Sequence, residues 1–116
     1  MTSVVVLVVL ALVSGLSFLY YGSKVLFQTA SRGEFERYGV PAVRRSVGVL
    51  EVLGGTGVIL GLAIAPLGAL AAAGLTALMI LGLTVRFRIH DAPRLMVPAA
   101  SLGALNALLV VLFASQ

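Results

Sequence analysis

Four long apolar runs, separated by two charged segments and one very short break, take up nearly the whole chain. A helix needs about 20 mostly apolar residues to cross the hydrocarbon core of a bilayer. The first run, about 4–23, carries no charge; the second, about 44–64, opens on Arg44 and Arg45 and is interrupted inside only by Glu51. The third, about 67–85, is uncharged, and the fourth, about 95–114, has Pro98 near its start, where a missing backbone N–H costs little. Ala65-Pro66 is expected to turn the chain tightly between the second and third runs, making them an antiparallel hairpin. The pattern predicts an all-α fold: an integral membrane four-helix bundle, with residues 1–116 as a single transmembrane domain. A signal peptide is the competing reading of the first run, but the run lacks a basic n-region and a small-x-small cleavage site.

The charged positions orient these runs. Lys24, Arg32, Arg37, Arg44 and Arg45 lie between the first two, and Arg86, Arg88 and Arg94 between the last two. Neither end of the chain nor the Ala65-Pro66 turn holds a Lys or Arg. Cytoplasmic loops collect basic residues, so both charged loops are expected in the cytoplasm and both termini outside (N-out/C-out), in the cell membrane. Within the first loop, Glu34, Phe35, Glu36, Arg37 and Tyr38 suit a short interfacial helix with Phe35 and Tyr38 towards the headgroups, or equally a solvated loop.

Composition strengthens the membrane reading and removes several chemistries. Of 116 residues, 60% are hydrophobic and 10% charged, whereas a soluble domain has roughly 25% charged residues. Mean hydropathy is +1.15. The chain has no cysteine, which excludes thiol chemistry, disulfides and iron–sulfur ligation by its own residues; one His and four acids make an all-protein metal site improbable. The net charge of +4 comes from the loops and implies lipid headgroups, not nucleic acid, as partner.

Small residues give the packing signal, because lipid-embedded helices associate through close backbone approach and hydrogen bonds. The second run carries Gly48, Gly54, Gly55, Gly57 and Gly61, and the third Gly68, Ala71, Ala72, Gly74 and Gly82. Tight packing of these two runs is expected, within one chain or in a homo-oligomer.

Few polar groups lie inside the runs. Glu51 is six residues beyond Arg45, roughly 9 Å deeper at 1.5 Å per residue. A lone carboxylate there is expensive unless it is paired or protonated, so it should face the interior. Lys24, ending the first run on the same side, is the expected partner. Tyr20, Lys24, Glu51 and Asn106, with Ser17, Ser101, Thr76 and Thr84 nearby in sequence register, would line a polar pocket in the cytoplasmic half of the bundle. Tyr20 and Tyr21 also suit interface anchors. Arg86 and Arg88 are expected to end the third run and contact phosphates. The His90-Asp91 pair superficially resembles a base with its orienter, but adjacent loop residues rarely point at one another.

Tyr21-Gly22-Ser23-Lys24, Gly48-Val49-Leu50-Glu51, the Gly54-Gly55 pair, Gly61, Pro66 and an Ala/Gly-rich third run with Met79 together resemble the DoxX-like family of small four-helix membrane proteins. The resemblance covers about Ser17 to the end of the fourth run. It implies that Lys24 and Glu51 are polar core positions, that a quinone-like molecule is a candidate ligand, and that a redox complex is a candidate partner. Some members are membrane subunits of a thiosulfate:quinone oxidoreductase. This chain is shorter than those subunits and has no residue that carries electrons.

Three functions fit these residues. The first is a membrane protein binding a small lipophilic or quinone-like molecule as partner of a redox or metabolic system. The second is a membrane-embedded isomerase or cyclase using Glu51, assisted by Lys24, as general acid or base. The third is a proton-coupled exporter, which is least favoured because the first run lacks the acid that such transporters usually place there.

Overall fold

The structure is a computed structural model that describes residues 2–39 and 41–116; Met1 and Val40, which the expected domain and first loop include, lie outside the described residues. Its elements are α1 (Thr2–Phe27), α2 (Thr29–Arg37), a 3-10 turn (Pro41–Val43), α3 (Arg44–Leu60), α4 (Ala65–Arg88) and α5 (Pro93–Ala114), with no strand among the described residues. The short helix of the first loop therefore forms. Gly39, with φ of 78°, ends it in the left-handed conformation that glycine adopts without steric cost.

The ends of the long helices differ from the hydropathy boundaries. α1 and α4 run on through Lys24, Arg86 and Arg88, because a helix satisfies its backbone internally whether or not lipid surrounds it. α3 stops at Leu60, short of residue 64, where the chain turns. Ala65 and Pro66 do not form that turn: they open α4, where the fixed φ of proline suits a first helical turn. Pro98 is a second correction, since α5 begins at Pro93 and Pro98 lies inside it, removing the bond that the Arg94 carbonyl would accept.

α1, α4 and α5 are each long and apolar enough to cross a membrane; α3, with 17 residues and Glu51, is shorter. The four longer helices pack in a ring, α1 against α3 and α5, and α4 against α3 and α5. The molecule measures 45 × 25 × 17 Å, and its long dimension matches a bilayer of about 40–45 Å including headgroups. Val5, Leu16, Leu53, Leu70, Leu81 and Val111 face outward, an apolar exterior suited to lipid. Leu7, Ala11, Phe18, Val58, Ala72, Leu75, Leu109 and Phe113 form the interior cluster.

The glycines of α3 serve two interfaces rather than the one expected. Gly54 and Gly57, with Gly61 just beyond the helix end, meet Leu75, Ala71 and Gly68 of α4. Gly48 and Gly55 face α1 instead, where Gly15 and Gly22 repeat the same seven-residue spacing. A Cβ on Gly22 would stand 2.9 Å from the Gly48 carbonyl oxygen, and one on Gly55 would stand 2.7 Å from that of Gly15. The backbones of α1 and α3 thus touch at two levels, as small-residue interfaces in lipid allow.

Candidate functional site

Glu51 sits on the inward stripe of α3 that also carries Gly48, Gly55 and Val58. The contact of Gly22 with Gly48 and Val52 sets its level, between the apolar interior cluster and the charged end of the molecule. The side chain is buried, and its Oε2 has no hydrogen-bond partner among the described residues. Lys24 lies in the last turn of α1, half-buried, about one helical turn from Glu51 towards the charged end. A buried carboxyl with an open oxygen can accept a hydrogen bond from a hydroxyl or N–H of a guest, or exchange a proton with it.

The other expected lining residues diverge from this point. Tyr20 is 60% exposed and stacks edge-on with Tyr21 at 5.3 Å, on the outer surface. Asn106 is fully buried, but it accepts a hydrogen bond from Ser14 Oγ at 2.9 Å and donates one to the Leu102 carbonyl at 2.8 Å. Ser14 lies beside Gly15, which meets Ile59 and Gly55, so this bond ties α1 to α5 roughly 10 Å further along the axis than Glu51. Thr76 and Thr84 donate to the carbonyls of Ala72 and Ile80 within α4, which leaves their hydroxyls committed to their own helix.

A polar node at the charged end was not foreseen. Asp91 accepts hydrogen bonds from Arg37 Nη1 and Nη2 at 3.1 and 3.3 Å, from Arg86 Nη1 at 2.9 Å, and from the Ala92 N–H at 3.1 Å. Its placement follows from the end of α4: the His90 and Asp91 N–H groups donate to the Phe87 and Arg86 carbonyls, with His90 in the left-handed conformation at φ of 54°. That turn folds Asp91 back onto Arg86. Asp91 is thereby committed to arginines, which removes the reading of His90 and Asp91 as base and orienter. Arg86 likewise spends one guanidinium nitrogen, Nη1, on Asp91. Phe35 is buried against the half-buried Tyr38, and the Arg37 and Arg86 guanidiniums each stand 5.1 Å from the Tyr38 ring centre. Arg44 caps the neighbouring helix, donating to the Val25 carbonyl at 2.6 Å and the Leu26 carbonyl at 3.3 Å. The signal in the sequence was Asp91 itself, the one acid among the arginines of the second loop.

The hydrogen bond from Arg37 holds the Asp91 carboxyl below the usual carboxylate range, against the opposing effect of burial. The node is thus complete above that range and is lost only as pH falls through the lowered folded value. In Asp91→Asn, amide hydrogen exchange across Thr29–Arg37 should accelerate at neutral pH and lose its acid dependence. Unchanged protection would show that α2 is held by other contacts.

A small α-helical protein with an apolar exterior, spans of membrane length and a carboxyl buried within one of its long helices is a membrane protein. A model of the DoxX-like family matches residues 2–113, and the chain belongs to that family. No curated protein and no solved structure matches it.

Proposed function

We propose that the protein binds a small lipophilic molecule with a hydrogen-bonding head in the charged-end half of its helical bundle, as membrane partner of a redox or metabolic system. The observation that carries this reading is the buried Glu51 with its open Oε2. Polar groups at depth are costly and ordinarily find partners, so an unsatisfied one suits a guest group. Lys24 supplies a cation about one turn away, and Tyr20 lies on the lipid-facing side from which a lipophile would arrive. Asn106 has its amide engaged by Ser14 and Leu102 and serves packing in this reading. In this reading α3 is the fourth span, and the gathering of basic residues at one end supports both loops being cytoplasmic and the protein lying in the cell membrane. A quinone-like ligand and a redox partner follow from the family resemblance.

Mass spectrometry of protein purified from membranes tests this. Wild type should carry a lipophile in near-stoichiometric amount, and Glu51→Gln should retain about tenfold less or lower, the effect of losing a hydrogen bond to a charged group. Absence of any lipophile from wild type would overturn the proposal. The same carboxyl supports a second reading, acid/base catalysis on a lipophilic substrate. In that case Glu51→Gln would keep its ligand and lose turnover.

A further inference from the structure

Beside the Asp91 node, the end of α2 and the last turn of α4 enclose a recess of about 260 Å³, bounded by Tyr38, Gly39, Val85, Arg88 and Ile89. Its walls are of two kinds, with Val85 and Ile89 apolar and Tyr38 and Arg88 carrying donors. α4 is a candidate span ending at Arg88, so the recess lies where a membrane would present its headgroup phosphates.

The polar wall is built in advance. The Tyr38 ring stands 5.1 Å from each of two guanidiniums and edge-on to Phe35 at 5.6 Å. Burial pushes the Tyr38 phenol up, so it keeps its proton and can donate; its present acceptor, Glu34 Oε2, is at a marginal 3.5 Å. Asp91 occupies Arg37 and Arg86, whereas no hydrogen bond or ion pair among the described residues engages Arg88. A Cβ at Gly39 would meet nothing within 4 Å, which shows how open the recess is on that side.

We propose that this recess binds the phosphate of an anionic phospholipid, with Arg88 pairing to the phosphate, the Tyr38 hydroxyl as second donor, and Val85 and Ile89 against the glycerol and first methylenes. Inorganic phosphate shares the anionic chemistry but has no use for the two apolar walls. This site is separate from Glu51 and does not depend on what Glu51 binds.

Native mass spectrometry with added phosphatidylglycerol or phosphatidylcholine tests the assignment. Wild type should retain one phosphatidylglycerol in preference to phosphatidylcholine. Arg88→Gln should weaken that binding about five- to tenfold, a basic side chain near a membrane being worth roughly 1 kcal/mol or more. Arg88→Lys should restore part of it, and Arg94→Gln, which alters an exposed arginine outside the recess, should leave it unchanged. Equal weakening by Arg88→Gln and Arg94→Gln would overturn the proposal in favour of a diffuse basic belt. Displacement of the lipid by inorganic phosphate at low millimolar concentration would overturn it in favour of a free-anion site.

Discussion

Gly55→Ala is expected to destabilise the protein by roughly 2 kcal/mol, within the range for overpacking a tight interior. The added methyl would stand 2.7 Å from the Gly15 carbonyl oxygen, 3.1 Å from Phe18 Cβ and 3.2 Å from the Leu19 nitrogen. Two of those neighbours are backbone atoms of α1, which cannot rotate aside, so the helices must separate. Separation also loosens the Gly22–Gly48 contact, because the same pair of helices carries both. Gly74→Ala in α4 is the matched control: its methyl meets nothing within 4 Å, and replacing glycine in a helix gains up to about 1 kcal/mol. The two substitutions should therefore shift the unfolding midpoint in detergent in opposite directions. Equal shifts would mean that close approach of α1 and α3 is not what holds them.

Glu51→Leu is expected to stabilise the ligand-free protein, by about 1–3 kcal/mol, the desolvation penalty of a buried polar atom such as Oε2 that has no hydrogen-bond partner among the described residues. Leucine is similar in size, and Val58 on the same inward stripe already packs in the apolar cluster. The same change should eliminate lipophile retention, since no acceptor remains. Stability must be measured on delipidated protein, because a ligand bound to the folded state raises apparent stability by mass action. A gain in stability with loss of binding would identify Glu51 as a residue kept for function at a structural cost. A loss of stability comparable to that from Gly55→Ala would identify it as a packing element instead, and the ligand reading would fall with it.

The family and the helical class were legible in short local patterns. The interior of the site was not. Apolar runs marked all four long helices, yet each of those runs is apolar on nearly every side, so periodicity does not separate a face towards lipid from a face towards a neighbouring helix. That ambiguity explains why the glycines of α3 pointed to α4 alone, when Gly48 and Gly55 belong to α1. It also explains why Asn106 read as pocket lining rather than as the partner of Ser14, 92 residues away.

Glu51 shows both sides of this division. Its depth and its rarity are local facts, and they single it out in the amino-acid sequence alone. Whether a partner reaches it is decided by side chains from other helices, and the packing of α1 against α3 leaves Oε2 open. At the charged end, the sequence by itself determined that all eight basic residues gather in two loops, because charge is excluded from hydrocarbon. Only the tertiary structure decided that Asp91 draws in Arg37, 54 residues away, beside Arg86 and leaves Arg88 to the recess, because that choice depends on how the end of α2 meets the end of α4.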